Sequence, residues 1–241
     1  MNIFTIYGER CTGTNFLKKI ILDNFDVPYR MLPSGLCGWK HWFGSPENKN
    51  AIQKSTDCMI LLIVRNPIDT LMSFYSHAHN QPKERLVNLE TFLTSEFYSV
   101  EGLLNEEIRL DSHFEEDGRR FKNIFEMRSV KNRFLFLTIP QLTPNSYFIR
   151  YEDLKINPCK ILADLEVKFQ LPRKSDNYII EQFRVRPQHM LDNVFSLSNK
   201  PLQEKYKVED PYIKDIIKNN LDFEVEEMIG YNKGSIIHQL E

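Results

Sequence analysis

The sequence predicts an α/β fold, a three-layer sandwich in which a central, mostly parallel sheet lies between flanking helices. Three segments predict it. Cys58 to Val64 reads CMILLIV, an unbroken apolar run with β-branched residues. That pattern belongs to a strand covered on both faces of a parallel sheet. Asn2 to Tyr7 is largely apolar up to Gly8 and runs through a short loop into residues of helical spacing. Tyr147 to Arg150 (YFIR) reads as a further buried strand, and a helix again follows it.

The remaining elements follow in order. Phe16, Leu17, Ile20, Ile21 and Phe25 recur at helical spacing after the first loop, with Lys18 and Lys19 on the other face. Pro28 to Pro46 carries Pro33, Gly35, Gly38 and Gly44 and reads as irregular or as a short strand; Glu47 to Lys54 reads as a short helix or turn. After Arg65-Asn66-Pro67 a helix is expected to start near Asp69, with Leu71, Met72 and Tyr75 on one face. Gln81 to Gly118 is polar with amphipathic stretches (Phe92, Leu93, Phe97, then Leu103, Leu104, Ile108). Phe121 to Leu137 predicts a helix, although Phe134 to Ile139 is equally compatible with a strand. Asn157-Pro158 opens another helix, because proline suits a first helical position. Amphipathic stretches at Tyr212–Leu221 and Phe223–Ile229 complete the chain.

Composition bounds the function. With 241 residues, 41% of them hydrophobic, the chain can bury the core of one domain spanning 1–241, and no repeat or linker divides it. A net charge of −2 argues against nucleic acid as the partner, while local basic clusters can still hold one small anionic ligand. CMILLIV is too short for a membrane span. MNIFTIYGER carries no leader pattern, and Cys11, Cys37, Cys58 and Cys159 show no metal-ligand spacing, so the expectation is a cytoplasmic protein with no metal.

Chemistry gathers in three places. Gly8-Glu9-Arg10-Cys11-Thr12-Gly13-Thr14-Asn15 turns from strand to helix through small residues. Backbone N–H groups and the helix dipole there favour an anion. Thr12, Thr14 and Asn15 add polar donors and Arg10 a full charge; Thr14 stands where an ATP-binding loop would carry lysine, which disfavours a standard kinase or ATPase. Arg65, at the end of CMILLIV, and Ser73, about two helical turns into the next element, could bracket a second phosphate on the same sheet edge. Tyr151-Glu152-Asp153-Leu154 follows the YFIR strand.

Together these segments resemble the sulfotransferases that use 3′-phosphoadenosine-5′-phosphosulfate (PAPS). The resemblance rests on CTGTN, on Arg65 and Ser73 eight positions apart, and on RYEDL with Asn157-Pro158, and it covers about Ile3 to Leu165. It implies a P-loop-like sulfotransferase architecture and PAPS as co-substrate, with a small-molecule or carbohydrate acceptor offering a hydroxyl or amine. Thr12, Gly13, Thr14 and Asn15 would hold the 5′-phosphosulfate, Arg65 and Ser73 the 3′-phosphate, and Tyr151 would lie near the adenine. Two departures stand out. Cys11 occupies the place of the family's loop lysine, so Arg10 or Lys40 would supply that charge. The C-terminal Arg-Lys-Gly cluster is missing, with Arg184, Arg186, Lys205 and Lys207 as candidate substitutes.

Lys40-His41 falls between the first loop and Arg65, where cytosolic sulfotransferases carry a lysine and a histidine close together. His41 is the expected base and Lys40 the group that stabilises the bridging oxygen. Glu9 is the second candidate base, or a partner of the helix dipole. His77 and His79 read as surface residues, and Trp39 and Trp42 suit either an acceptor pocket or the core. An atypical nucleotide kinase and a nucleotide-binding module without catalysis are the competing readings.

Overall fold

The computed structural model describes residues 1–101, 106–180 and 207–241, together with the backbone of two short paired strands, Phe183–Val185 and Asn193–Phe195. The central sheet contains β1 (Ile3–Tyr7), β2 (Cys58–Val64) and β3 (Ser146–Arg150), in the order β1-β2-β3 and all parallel. Tyr7 lies opposite Leu62 and Val64 opposite Arg150, so all three strands end on the same edge. On the outer side of β1, the Phe4 N–H donates to the Pro28 carbonyl (3.0 Å) and the Arg30 N–H to the Phe4 carbonyl (2.8 Å).

Why β2 is apolar throughout is visible in its two faces. Cys58, Ile60, Leu62 and Val64 join a core that includes Tyr7, Leu71, Phe74, Phe125 and Ile217. Met59, Leu61 and Ile63 face a second core with Phe4, Ile6, Leu17, Ile20, Leu162 and Leu165. The second core is closed by α1 (Thr14–Asn24) and, beyond α6 (Tyr151–Ile156), by α7 (Pro158–Phe169). The first is closed by α2 (Pro46–Lys54), α3 (Pro67–Ser76), α4 (Leu89–Thr94), α5 (Ile124–Arg133), α8 (Pro211–Asn220), α9 (Phe223–Met228) and α10 (Lys233–Leu240). The result is the three-layer α/β arrangement the sequence predicts.

Several expectations are sharpened. Helix α3 starts at Pro67 rather than near Asp69, because the Asn66 side chain accepts the Asp69 N–H (3.1 Å) and proline takes the first helical position. Phe134–Thr138 is helical and continues α5 through a widened turn. Phe134, Leu135 and Ile139 are buried there while Leu137 is exposed, a spacing that a strand would not produce. Strand β3 is only half-buried at Tyr147 and Phe148, as befits the edge of the sheet among the described residues. No described helix is long and apolar enough to cross a membrane.

Candidate functional site

The loop after β1 is pressed against β2. A Cβ on Gly8 would lie 2.5 Å from the Ile63 carbonyl oxygen, so only glycine permits this approach. The loop ends at Gly13, which caps α1 with φ 96° and offers no side-chain acceptor. By contrast, α2, α3, α4, α5 and α7 open on Ser45, Asn66, Asn88, Asn123 and Asn157, each accepting a first-turn N–H. Helix α1 thus presents its N-terminal dipole without an internal acceptor from its cap residue, the condition under which an external anion is favoured.

Gly13 has a second constraint, because a Cβ there would penetrate the Tyr151 ring. Left-handed strain and overpacking together predict that Gly13→Ala destabilises the fold by roughly 2–5 kcal/mol. Urea unfolding of the variant measures this, and a loss below about 1 kcal/mol would mean the ring can yield.

Around that loop the structure assembles the residues singled out in the sequence. The Thr12 hydroxyl donates to the Glu9 carbonyl (2.6 Å) and so ties the loop to itself. Thr14 is buried at the first position of α1, and exposed Asn15 accepts a hydrogen bond from the Lys40 ammonium through Oδ1. Arg65, at the end of β2, donates from Nη1 to the Cys11 carbonyl (3.0 Å) and from Nη2 to Asp69 Oδ2 (3.3 Å). Its guanidinium carbon lies 4.9 Å from the centre of the Tyr151 ring. Ser73, one face along α3, neighbours the Cys11 thiol. Burial pushes that thiol's pKa up, against the pull of Ser73, Arg65 and Arg10, so Cys11 is held as a neutral thiol. The two candidate anion cradles therefore touch. Arg65 Nε is buried with no hydrogen-bond partner among the described residues, while Nη1 and Nη2 each spend one N–H on these two contacts.

Lys40 and His41 run alongside the same loop. The Gly8 N–H donates to the Lys40 carbonyl (3.1 Å), and His41 Nδ1 lies 2.6 Å from the Gly8 carbonyl. A carbonyl only accepts, so Nδ1 carries the proton and Nε2 keeps a lone pair. Burial, then the charges of Lys40 and Arg10, push the His41 pKa well below 6.5. Burial and the neighbouring Lys18 charge bring the Lys40 pKa down to about 8. Trp39 meets His41 edge-on (4.6 Å between ring centres), while Trp42 is buried.

Glu9 and Arg10 point the other way. The Arg10 side chain is 0% exposed; it pairs with Asp111 (2.5 Å) and Glu9 (3.0 Å) and lies over Phe74 and Phe97. A group that no water can touch cannot meet an anion in the open cradle. Arg10 thus supports the loop from behind, and of the two candidate cations it is Lys40 that bonds to the loop at Asn15. The Glu9 carboxylate is engaged by Lys131 (2.5 Å) as well as by Arg10.

Sequence reasoning missed Asp111, Arg128, Lys131 and Glu226. Arg128 donates to the Arg65 carbonyl (2.9 Å) and forms a two-pronged pair with Glu226 (2.6 and 2.8 Å), fixing the end of β2. The Asn66 N–H donates to Glu152 (2.9 Å), which also accepts from the Tyr231 hydroxyl (2.6 Å). A signal for two of them was present: Arg128 and Lys131 fall on the face of α5 that also buries Ile124 and Met127. Charges at core spacing are an anomaly that asks for partners. Of the candidate substitutes for the C-terminal basic cluster, the Arg184 side chain, Arg186 and Lys205 lie outside the described residues, and Lys207 is exposed.

No protein-family model and no curated protein matches the chain. Among solved structures, the chain is similar to a mouse sulfotransferase, SULT7A1, complexed with PAP. The identity is 13% and the TM-score 0.45, over 100% of this chain and 90% of that one.

Proposed function

We propose that this chain is a cytoplasmic sulfotransferase that takes the sulfuryl group of PAPS and passes it to a hydroxyl or amine of a small-molecule or carbohydrate acceptor. The observation that carries this reading is the direct contact between the two cradles, Arg65 Nη1 on the Cys11 carbonyl (3.0 Å). Ligands of parallel α/β sheets bind at the carboxyl ends of the strands, and here two cation- and dipole-rich elements meet at that edge. One molecule with phosphates at both ends fits them better than ATP, whose phosphates form a single chain.

Under this reading Arg65 and Ser73 hold the 3′-phosphate. The N-terminus of α1, with Gly13, Thr14 and Asn15, holds the 5′ side, and Thr12 and Cys11 shape the loop between them. Tyr151, packed on Gly13 and under Arg65, borders the nucleoside. PAPS supplies an activated sulfuryl group on a bisphosphate leaving group. Lys40, placed at Asn15, stabilises negative charge on the 5′ side. His41 Nε2 takes the acceptor's proton, and its tautomer is fixed by the Gly8 carbonyl.

The pH dependence has a definite sign. A lowered His41 pKa keeps the ring neutral, and able to accept a proton, at pH values where free histidine is already charged. The acid limb of kcat/KM therefore lies well below 6.5. Lys40 loses its charge as pH rises through about 8, so the basic limb lies near 8. Replacing Lys40 by methionine should abolish the basic limb and leave the acid one in place.

Thermal unfolding with adenosine 3′,5′-bisphosphate against magnesium ATP tests nucleotide choice. At 100 times its Kd the bisphosphate should raise Tm by on the order of 5–10 °C, with no comparable effect of ATP. Stabilisation by ATP alone would favour a kinase. Transfer of label from sulfur-labelled PAPS across an acceptor panel then separates an enzyme from a nucleotide-binding module.

A further inference from the structure

We propose that Lys131 is a positioning residue: one buried ammonium joins the phosphate loop, the Lys40-His41 segment and the Asp111 loop, and so holds the His41 ring in a single orientation. This rests on the reading of His41 as the base. A lysine ammonium has three N–H donors, and Lys131 uses each on a different segment. They go to Glu9 Oε2 (2.5 Å), to Asp111 Oδ1, and to the His41 carbonyl (2.9 Å). Asp111 also accepts from Arg10 Nη2 (2.5 Å) and from the Ser99 hydroxyl, and Glu9 accepts the Arg10 N–H (2.6 Å).

Four charges are thus enclosed together, with side-chain exposures of 0% for Arg10 and Asp111, 2% for Lys131 and 9% for Glu9. Enclosed ion pairs gain little stability over apolar residues of the same volume, so stability alone does not account for them. What this network does supply is alignment. Glu9 follows Gly8 directly, and Gly8 makes two hydrogen bonds to the Lys40-His41 segment, one of them to the ring itself. Lys131 bonds to both sides of that pairing, one contact on Glu9 and one on the His41 carbonyl. An apolar side chain at 131 would fill space but would leave the segment free to slide against the loop. The titratable groups acting on the ring are Lys40, Arg10 and His79, with Glu9, Asp111 and Lys131 gathered around Arg10.

Long-range proton–nitrogen NMR on the nitrogen-labelled full chain reads the ring directly, with His41 assigned by the signal lost in His41→Ala. The wild-type ring should show the Nδ1–H tautomer alone. Lys131→Met should show both tautomers and a titration shifted up toward 6.5, the ordinary histidine value. Its kcat should fall about 10- to 100-fold through misplacement of the base, with little change in the Kd for adenosine 3′,5′-bisphosphate. The charge-balanced double variant Glu9→Gln/Lys131→Met, which keeps the Arg10–Asp111 pair, should behave the same way.

A folded variant that retains the wild-type tautomer and titration would overturn the proposal. So would failure of both variants to fold, since the network would then serve stability. If the tautomer changes as expected but wild-type protein transfers no sulfuryl group, the positioning role stands and the sulfotransferase reading fails.

Discussion

Replacing Arg128 by methionine is expected to lower the unfolding free energy by about 3–5 kcal/mol, the range for removing one partner of a buried ion pair. Glu226 is 1% exposed and would be left without its cation, and the Arg65 carbonyl would lose a donor. Denaturant titration should show a lower midpoint at unchanged slope. Replacing both partners, Arg128→Met with Glu226→Leu, should recover much of the loss, because the penalty comes from the stranded charge rather than from the missing attraction. A loss below about 1 kcal/mol for the single variant would mean that water reaches Glu226. In the double variant the Arg65 carbonyl keeps the Thr70 hydroxyl but still lacks the Arg128 donor, so weaker bisphosphate binding at recovered stability would isolate the part this pair plays in aiming Arg65.

The second large effect is on turnover. His41→Ala should reduce kcat by about 100- to 10,000-fold, the usual contribution of a positioned base. The Kd for adenosine 3′,5′-bisphosphate should stay within about twofold, because Arg65, Ser73 and the α1 N-terminus are untouched. Unchanged turnover would move the proton transfer elsewhere. Glu9 is badly placed to inherit it, with one carboxylate oxygen on Lys131 and the other on Arg10.

How much of this was readable beforehand depends on the range of the interaction concerned. The CMILLIV strand was legible because covering both faces forces every position to be apolar, and that leaves a local signature. The loop from Gly8 to Asn15 was legible for a similar reason, since close approach to Ile63 and a left-handed Gly13 both demand glycine at fixed places. The direction of Arg10 was not legible, because the same sequence is compatible with a guanidinium facing either way. Its direction is decided by Asp111, 101 positions later, within a polar stretch that carried no motif. Lys131 and Arg128 were passed over because amphipathic reading assigns charges to the solvent face by default. The convergence of Cys11, Arg65, Ser73 and Tyr151 needed strand order, which motif order suggests but only the parallel register establishes.

That register also bears on how the molecule is assembled in time. Ile3 pairs with Cys58 and Ile60 with Ser146, so among the described residues the central sheet contains no hairpin that could close early, and each of its three strands must await a distant partner. Chains of such high contact order fold slowly. The cradle borrows atoms from all three strand ends and therefore exists only after the last of them has docked. A half-formed intermediate would have nowhere to seat a doubly phosphorylated nucleoside, and the ligand would slow denaturation without hastening renaturation.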